Sequence, residues 1–419
     1  MKVKVLPSAL GGAVSSVSSK SALHRLLILS ALADSKTKIN FTDAGTDVRT
    51  TATCLMKLGA GIDKTADGVI IAPLRRNRIP DNVQMNCRES GSTLRFLLPL
   101  CSALGTCAHF TGTGRLPLRP IKELTQALRS GGISFTGSTL PFTAEGKLSA
   151  GNFNLPGNIS SQYISGMLMA LPLLTGSSSV TVTNELQSSS YVALTLQILQ
   201  KFGVEYNVKD NIFTVKGPVS FLSPLEITAE NDWSQAAFFL AAGALHRPVT
   251  VTGLDLNSLQ PDRRILDDLK AFGAVISADD AAVTVSPGTL RGTEIDLRET
   301  PDLLPVLAVI AASAVGETHF VHGERLRFKE TDRIKTTGAL LRSFDGYAEE
   351  TPDGLIIRGG PLRGAVLPAV SDHRLIMAAA LAASSAVGET IICETEAVNK
   401  SYPCFWDDFK TSGGKIDVL

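Results

Sequence analysis

The chain repeats itself six times, and this internal repeat limits its possible folds more than any single motif does. A helix-like ending recurs along the sequence, usually just before a glycine. The aligned apolar residues of these endings are spaced 73, 71, 70, 72 and 68 residues apart: Leu55, Leu128, Leu199, Leu269, Leu341 and Phe409. Six units of about 70 residues therefore fill the 419-residue chain, and one supersecondary pattern should explain all of them.

Each unit shows the same order of hydrophobic periodicities. An apolar helix such as HRLLILSALA, from His24, is followed by a strand such as RPVTVTGL, from Arg247. An amphipathic helix and a short hairpin such as NIFTVKG complete the unit. The resulting order, β-α-β-α-β-β, predicts an α/β architecture. Because the first helices are apolar nearly all round, we expect them to be buried, with the amphipathic helices and the sheets covering them.

The first helices begin at unusually polar places, which read SSKS, ESGS, NISSQ, ENDWS, TPD and SDHR. An N-cap explains any one of these starts. Six homologous starts also present free amides and positive dipole ends, which can bind an anion. Cations lie on these helices or in the connections after the following strands: Lys20, Arg25, Arg95, Arg374, Arg119, Lys329, Arg333 and Lys400. We therefore expect a positively charged cleft for a ligand with phosphate and carboxylate groups.

The segment SSKSALHR is similar to the end of a phosphate-binding P-loop. A P-loop needs glycines one and six positions before its lysine, and for Lys20 these positions are Ser19 and Val14. A helix N-terminus capped by one of the first two serines is the better interpretation. Ser21 and Arg25 lie four residues apart and share a face there, so the start can still hold an anion without a glycine wrap.

The composition narrows the functional classes. Lys and Arg number 40, as do Asp and Glu, and this net charge of zero gives no reason to expect nucleic acid or an anionic membrane. The longest apolar run, residues 303–315, is shorter than the about 20 residues that span a bilayer. The first ten residues show no apolar signal core, and the six cysteines form no CxxC pair. We expect a cytoplasmic protein without a metal site.

Short motifs occur along the chain in an order that is specific to one family. They are KSALHR at 20–25, ESGSTLR at 89–95, LRPI at 118–121, SSQ at 160–162, SSSY at 188–191, PD at 301–302, KETDR at 329–333, DHR at 372–374 and KSYP at 400–403. KETDR or DHR alone would indicate a charged surface helix. In this order, on a sixfold repeat, the motifs show that the chain resembles the 5-enolpyruvylshikimate-3-phosphate synthase family over essentially its whole length.

The resemblance implies a two-domain inside-out α/β barrel with three units in each domain, helices inside and sheets outside. One domain would comprise residues 1–18 and 228–419 and the other residues 19–227, with the active site in the cleft between them. The implied reaction transfers the enolpyruvyl group of phosphoenolpyruvate to the 5-hydroxyl of shikimate 3-phosphate and releases phosphate through a tetrahedral intermediate. The enzyme would act as a monomer, without a metal or an organic cofactor.

The resemblance also implies roles for the residues that match its motifs. Shikimate 3-phosphate would be bound by Lys20, Ser21, Arg25, Ser160, Ser161, Gln162, Ser188, Tyr191, Asp302 and Lys329. Phosphoenolpyruvate would be surrounded by Lys20, Gly91, Arg119, Gln162, Glu330, Arg333, Arg374 and Lys400. Asp302 resembles the base that takes the proton from the attacking hydroxyl, and Glu330 resembles the acid that protonates the methylene carbon. Lys20 is the third expected catalytic residue.

Two features of this assignment need a physical account. The expected acid, Glu330, has cations near it in the sequence that favour its ionised form, so we expect the negative charges of bound substrates to make the protonated form accessible. Glu89 stands where many relatives have Asn, and Arg325 replaces another common Asn near KETDR. These departures bear on how the phosphate is held or how the domains close.

Two alternatives to this function remain open. The related transferase that acts on UDP-N-acetylglucosamine uses a loop cysteine, and residues 111–120 contain none. The other alternative is a non-catalytic anion-binding protein on the same fold. Such a protein would gain from the loss of carboxylates, whereas both Asp302 and Glu330 are retained.

Overall fold

The computed structural model describes residues 1–279 and 282–419, which divide into two compact units. The discontinuous unit comprises Met1–Val17 and Glu230–Leu419, and the continuous unit comprises Ser18–Ala229. Each unit has its own hydrophobic core. None of the helices in the described ranges is long and apolar enough to cross a membrane.

The helices are numbered along the chain. They are α1 (Lys20–Leu32), α2 (Thr46–Lys57), α3 (Gly91–Leu104), α4 (Lys122–Ser130), α5 (Ser161–Ala170), α6 (Ser189–Lys201), α7 (Trp233–Leu245), α8 (Ile265–Phe272), α9 (Leu304–Ser313), α10 (Arg333–Ser343), α11 (His373–Ser385) and α12 (Phe405–Thr411). Short 3-10 turns include Leu116–Leu118, Pro261–Arg264, Pro301–Leu303, Glu324–Phe328 and Thr395–Lys400. The odd-numbered helices are buried almost all round, as their Ala-, Leu- and Ile-rich sequences predict, whereas the even-numbered helices bury fewer of their residues.

The strands are β1 (Lys2–Leu6), β2 (Gly12–Ser15), β3 (Thr37–Asn40), β4 (Gly61–Lys64), β5 (Gly68–Ala72), β6 (Asn82–Asn86), β7 (Cys107–Thr111), β8 (Ser134–Phe135), β9 (Phe142–Glu145), β10 (Asn152–Leu155), β11 (Gly176–Val182), β12 (Asn207–Lys209), β13 (Ile212–Gly217), β14 (Glu226–Thr228), β15 (Val249–Thr252), β16 (Val275–Ala278), β17 (Ala282–Ser286), β18 (Glu294–Asp296), β19 (Glu317–Val321), β20 (Tyr347–Glu350), β21 (Leu355–Arg358), β22 (Thr390–Cys393) and β23 (Lys415–Val418).

The four-stranded sheets are mixed and share one strand order, which establishes an α/β fold. In the continuous unit the orders are β14-β3-β5-β4, β6-β7-β9-β8 and β10-β11-β13-β12. The discontinuous unit has β16-β17-β15-β2 and β18-β19-β21-β20 in the described ranges, together with the three-stranded sheet β22-β1-β23. Every four-stranded sheet joins one parallel pair, such as β6 with β7, to two antiparallel pairs, such as β7 with β9 and β9 with β8.

The last repeat departs from the predicted pattern. The sequence predicts a hairpin after each amphipathic helix, but only β23 follows α12. The missing strand is β1 from the start of the chain, where Val5 pairs antiparallel with Thr390 of β22 and with Ile416 of β23. Val3 and Val5 are fully buried in the core of the discontinuous unit. Local periodicity missed this pairing because it joins residues from opposite ends of the chain.

A carboxylate on α8 is buried outside any predicted site. Asp268 is 3% exposed, and Nε of Arg264 lies 3.4 Å from its Oδ1. Burial raises the pKa of Asp268 to about 6, and the charge of Arg264 opposes this rise only in part. The folded state therefore binds a proton at this residue more tightly than the unfolded chain does.

We expect Asp268 to lower the stability of the chain as the pH rises from about 4 to about 6. In this window the unfolded carboxyl has already lost its proton while the folded one still holds it, so the free energy of unfolding falls and then levels off. In Asp268→Asn the fall should be smaller by up to about 3 kcal/mol. Urea midpoints measured across the window test this, and equal pH slopes in the two proteins would contradict it.

Candidate functional site

Three buried helices of the continuous unit begin beside one another. Gln162 in the first turn of α5 donates from Nε2 to Ser92 Oγ in the first turn of α3, over 2.8 Å. Asp47 connects α3 with α1, because its Oδ2 accepts from Lys20 Nζ over 3.4 Å and its carbonyl oxygen lies 3.5 Å from Thr93 Oγ1. The free amides and positive dipole ends of α1, α3 and α5 therefore lie at one end of this unit.

Serine side chains cap these three helices, as the polar starts predict. The hydroxyls of Ser19, Ser90 and Ser160 accept from the amides of Ala22, Thr93 and Gln162 over 3.3, 3.2 and 3.3 Å. A sequence interpretation based on N-caps is confirmed at these three positions. Each cap satisfies an amide that the helix leaves without an intrahelical partner, and it fixes the start of the helix.

A buried chain of hydroxyls supports the cap of α3. Thr93 Oγ1 donates to Ser90 Oγ over 2.7 Å and lies 2.7 Å from Thr51 Oγ1, which lies 2.8 Å from Nδ1 of His24. Burial, together with the charges of Lys20 and Arg25, lowers the pKa of His24 well below its usual range, so the ring is neutral. No sequence pattern indicates this row of hydroxyls, which holds the start of α3 against α1 and α2.

Two guanidinium groups lie against the start of α3. A Cβ atom on Gly91 would be 3.0 Å from Nη1 of both Arg119 and Arg95. Arg95 Nη1 donates to Gln162 Oε1 over 2.8 Å, and its Nη2 donates to the carbonyl oxygen of Pro120 over 3.0 Å. The positive charges of Arg119 and Arg95 and the partial positive charge at the start of α3 repel one another, whereas an anion bound between them would attract all three. The geometry therefore favours an anion site at Gly91.

Arg25 is more deeply buried than its predicted role in ligand binding suggests, with 2% of its surface exposed. It donates to Thr195 Oγ1 over 2.7 Å and to the carbonyl oxygens of Ser21 and Tyr191 over 2.8 and 3.0 Å. The ring centroid of Phe96 lies 5.1 Å from its guanidinium carbon. Arg25 thus joins α1 to α6 and fixes the backbone at two other predicted residues.

The start of α6 is a strained residue. Ser188 is buried, with φ 54° and ψ 43°, a left-handed conformation that is uncommon outside glycine. Such strain costs about 1–3 kcal/mol and is concentrated at ligand sites. Because the sequence shows only SSSY here, it could suggest the residue but not its conformation.

In the discontinuous unit, the buried guanidinium of Arg333 binds three carboxylates. Its Nη1 donates to Asp302 over 2.7 Å, its Nη2 to Glu330 over 2.8 Å and its Nε to Asp372 over 2.8 Å. Arg333 is 1% exposed and Asp372 is fully buried. Burial lowers the pKa of Arg333, but the three carboxylates outweigh burial and raise it above its usual value. Asp372 also caps α11 by accepting from the amide of Arg374 over 3.0 Å.

Asp302 is in contact with three cations. Besides Arg333, it accepts from Lys329 Nζ over 3.1 Å and from Arg374 Nη2 over 3.2 Å. Burial alone would raise the pKa of Asp302, but these cations hold it well below its usual range, so the carboxyl is ionised at neutral pH. Burial lowers the pKa of Lys329 to about 8, in part offset by Asp302.

Glu330 lies in the same cluster. Its second oxygen is 3.8 Å from Lys400 Nζ, and its side chain is 11% exposed. Lys400 comes from the turn Thr395–Lys400, more than 60 residues after Glu330 in the chain. The cluster therefore contains three carboxylates of restricted exposure, those of Asp302, Glu330 and Asp372, and four cations. Such a set can bind anionic ligands and move protons.

The predicted site residues form two groups. In the continuous unit they lie at or beside the starts of α1, α3, α5 and α6: Lys20, Ser21, Arg25, Gly91, Arg119, Ser160, Ser161, Gln162, Ser188 and Tyr191. In the discontinuous unit they form one hydrogen-bonded and ion-paired cluster: Asp302, Lys329, Glu330, Arg333, Arg374 and Lys400.

Sequence patterns do not indicate the carboxylates beside these cations. Asp372 lies inside the DHR motif, which predicts a role only for its arginine, and Asp47, in the first turn of α2, belongs to no motif. Asp262 is almost completely buried and bonds to the Ser234 hydroxyl, which also accepts from Arg374 over 3.0 Å. Only the cap position of Asp372 could have been found from the sequence, since each carboxylate bonds to a residue distant in the chain.

The two departures from the resemblance lie beside these groups. Glu89 packs against Gly114 in the connection that carries Arg119. Arg325 donates to the carbonyl oxygen of Arg298 over 2.6 Å, and its positive charge contributes to the lowered pKa of Lys329. Each departure therefore changes the charge near a predicted ligand-binding residue.

Solved structures share the fold of this chain over its whole length. EPSP synthase from Acinetobacter baumannii matches with a TM-score of 0.83 and 25% identity, covering 100% of both chains. The enolpyruvyl transferase NikO from Streptomyces tendae matches with a TM-score of 0.78 and 17% identity, covering 99% of this chain and 98% of the other. The fold is therefore one that enolpyruvyl transferases adopt.

Sequence comparisons are more specific. The sequence model of the EPSP synthase family, described as 3-phosphoshikimate 1-carboxyvinyltransferase, matches residues 6–409. Relatives named 3-phosphoshikimate 1-carboxyvinyltransferase from Clostridium perfringens (strain 13 / Type A) and Clostridium kluyveri are 39% and 38% identical, over 99% of this chain and 98% of their own lengths. The chain belongs to the EPSP synthase family and is a transferase, which confirms the resemblance inferred from the motifs.

Asp372→Ala should destabilise the discontinuous unit by about 3–5 kcal/mol, because it removes a carboxylate from a fully buried ion pair. Asp332 offers a matched control, since it also caps a helix, accepting from the Lys335 amide over 3.1 Å. It also binds an arginine, Arg327, over 3.1 Å, but this ion pair is partly exposed. Asp332→Ala should cost about 1 kcal/mol. Urea unfolding measures both losses, and equal losses would show that the Arg333 pair adds nothing beyond a cap.

Proposed function

We propose that this chain transfers the enolpyruvyl group of phosphoenolpyruvate to the 5-hydroxyl of shikimate 3-phosphate and releases phosphate. The observation that carries the proposal is that Asp302 and Glu330 bind one guanidinium, that of Arg333, at 2.7 and 2.8 Å. Addition of an alcohol to a carbon–carbon double bond needs a base for the hydroxyl proton and an acid for the methylene carbon. Two carboxyl groups in one charged cluster can supply both.

Shikimate 3-phosphate is the substrate that we assign mainly to the continuous unit. Its phosphate suits a surface of helix amides, hydroxyls and cations, and Tyr191 would lie beside its ring. The residues proposed to bind it are Lys20, Ser21, Arg25, Ser160, Ser161, Gln162, Ser188, Tyr191, Asp302 and Lys329. The adjacent starts of α1, α3 and α5 and the strained Ser188 support this assignment.

Phosphoenolpyruvate carries a carboxylate and a phosphate, both of which a guanidinium can bind with two parallel hydrogen bonds. The residues proposed to surround it are Lys20, Gly91, Arg119, Gln162, Glu330, Arg333, Arg374 and Lys400. These residues come from both units, so we propose that the two groups act on the same pair of substrates. The cations at the start of α3 support this assignment.

In the proposed addition, the 5-hydroxyl oxygen bonds to C2 of phosphoenolpyruvate. Asp302 accepts the hydroxyl proton and Glu330 delivers a proton to C3. In the elimination, Glu330 takes a proton back from C3, the bond between C2 and the phosphate oxygen breaks, and the double bond reforms. The phosphate leaves with the proton that Asp302 had accepted, so both carboxyl groups return to their starting states. Lys20 would stabilise the charge that develops on the departing phosphate. The protein supplies the acid, the base and the cations.

We further propose that the six units form two inside-out α/β barrels of three units each, and that the two compact units are the domains of the enzyme. The common strand order and the buried odd-numbered helices support this. The chain would act as a monomer in the cytoplasm, because its sheets are completed by strands of the same chain and its six cysteines are free thiols, which suit a reducing compartment.

A phosphate-release assay tests the proposed function. The wild-type chain should release phosphate when phosphoenolpyruvate and shikimate 3-phosphate are both present, and neither substrate alone should suffice. Replacing shikimate 3-phosphate with UDP-N-acetylglucosamine should give no release. Release with the sugar nucleotide would indicate the related transferase instead, and no release under any condition would indicate an anion-binding protein.

Glu330→Gln should bind both substrates but turn over about 10²- to 10⁴-fold more slowly, because an amide cannot deliver a proton to carbon. Steady-state kinetics give kcat, and calorimetric titration gives the affinity for shikimate 3-phosphate. Glu324→Gln is the matched control, since Glu324 is an exposed carboxylate in the same connection and should keep wild-type kcat. Wild-type turnover in Glu330→Gln would refute the assigned role.

Gly91→Ala should raise KM for phosphoenolpyruvate about tenfold, because the new methyl group pushes the Arg119 guanidinium from its position. The helix itself should tolerate the change, since alanine is the better helix former. Gly151→Ala is the control, as its Cβ would have no neighbour within 4 Å. An unchanged KM in Gly91→Ala would exclude close approach of this substrate to the start of α3.

A further inference from the structure

One buried carboxylate next to the charged cluster has no role in the proposed reaction. Asp262 lies in the turn Pro261–Arg264 that precedes α8 and is 1% exposed. It bonds to the hydroxyl of Ser234, in the first turn of α7. The carboxylate thus connects two elements of the discontinuous unit and does so through a side chain at the start of a buried helix.

The Ser234 hydroxyl also contacts Arg374, a proposed substrate-binding residue. Arg374 Nη2 donates to Ser234 Oγ over 3.0 Å and to Asp302 Oδ2 over 3.2 Å, and Arg374 is 4% exposed. A serine hydroxyl has one proton to donate and two lone pairs. If Ser234 donates to Asp262, its lone pairs are directed to Arg374, and one nitrogen of Arg374 is then held between Ser234 and Asp302.

The charges around Asp262 fit this arrangement. Burial raises the pKa of Asp262 to about 7, a rise to which Asp302 and Asp232 contribute, while Arg374 and Lys329 oppose it. A carboxylate in this position therefore costs stability near neutral pH, and an apolar residue of similar size would fill the space at lower cost. Such a cost is expected where a group fixes the geometry of a site.

We propose that Asp262 is a positioning residue, which acts through the Ser234 hydroxyl to hold the Arg374 guanidinium in contact with Asp302. The inference rests on the proposed function, in which Arg374 binds phosphoenolpyruvate and Asp302 accepts the hydroxyl proton. Without the bond to Ser234, Arg374 can leave the orientation in which it binds the substrate. Loss of Asp262 should therefore affect the use of phosphoenolpyruvate more than the use of shikimate 3-phosphate.

Steady-state kinetics of three variants test the proposal. Asp262→Asn and Ser234→Ala should each raise KM for phosphoenolpyruvate about tenfold, the effect of losing one hydrogen bond to a charged group. KM for shikimate 3-phosphate should change less than about twofold. The double variant should be no worse than the more impaired single variant, because both changes break the same connection. Equal increases in both KM values, or additive losses, would overturn the proposal.

Asp268→Asn is the matched control, because it also removes a buried carboxylate whose pKa is raised. Asp268 lies on α8, outside the charged cluster. It should keep wild-type KM for both substrates. A tenfold increase of KM for phosphoenolpyruvate in Asp268→Asn would show that the effect of Asp262→Asn comes from a general loss of structure. If Asp262→Asn does not fold, Ser234→Ala decides alone, and a wild-type KM for phosphoenolpyruvate in that variant overturns the proposal.

A second measurement separates this inference from the proposed function. If the wild-type chain releases no phosphate in the assay, the function fails, but the connection can still be measured without substrate. A double-mutant cycle on urea midpoints should then show coupling between Ser234→Ala and Asp262→Asn and none between Ser234→Ala and Asp268→Asn. Additive midpoints for the first pair would show that Asp262 and Ser234 act independently and would reject the positioning role.

Discussion

The buried guanidinium of Arg333 determines the arrangement of the charged cluster. Its three carboxylate partners come from the turn before α9, the connection before α10 and the start of α11. A buried cation is stable only where carboxylates surround it, and a buried carboxylate is stable only beside cations. The groups are therefore mutually dependent, and two carboxyls suited to proton transfer are held on one planar cation.

In the continuous unit, positive charge is concentrated at the starts of the buried helices. Its candidate residues lie at helix starts, where amides and dipoles are already positive, and Arg119 and Arg95 add further positive charge at Gly91. Serine caps and the hydroxyl chain behind Ser90 fix these starts without adding negative charge. Asp47 offsets the charge of Lys20 at the start of α1, but the caps and hydroxyls at the start of α3 leave its positive potential for an anionic ligand. In the discontinuous unit, carboxylates offset each of the four cations.

The sequence could predict those parts of the molecule that depend on local pattern. Helix burial follows from apolar periodicity, and the caps Ser19, Ser90 and Ser160 follow from polar residues before each apolar run. No local pattern predicts the pairing of β1 with β22 and β23, because it joins opposite ends of the chain; only the family resemblance, which groups residues 1–18 with residues 228–419, pointed to it. The hydrogen bonds that hold the site residues in place also have no local pattern, because they join residues distant in the sequence. Arg25 and Thr195 are 170 positions apart, and Arg374 and Ser234 are 140 positions apart.

The charge balance of the cluster links its protonation to the presence of substrate. Three cations keep Asp302 ionised and weakly basic, and Glu330 lies in the same positive field, 2.8 Å from the Arg333 guanidinium and 3.8 Å from Lys400 Nζ. In the proposed reaction, both substrates bring phosphate or carboxylate groups that offset this field. Asp302 then becomes a better base and Glu330 can hold the proton that C3 requires. In this proposal, phosphoenolpyruvate alone offsets only part of the field, so the cations proposed to bind this substrate would also keep it from reacting before the acceptor hydroxyl arrives.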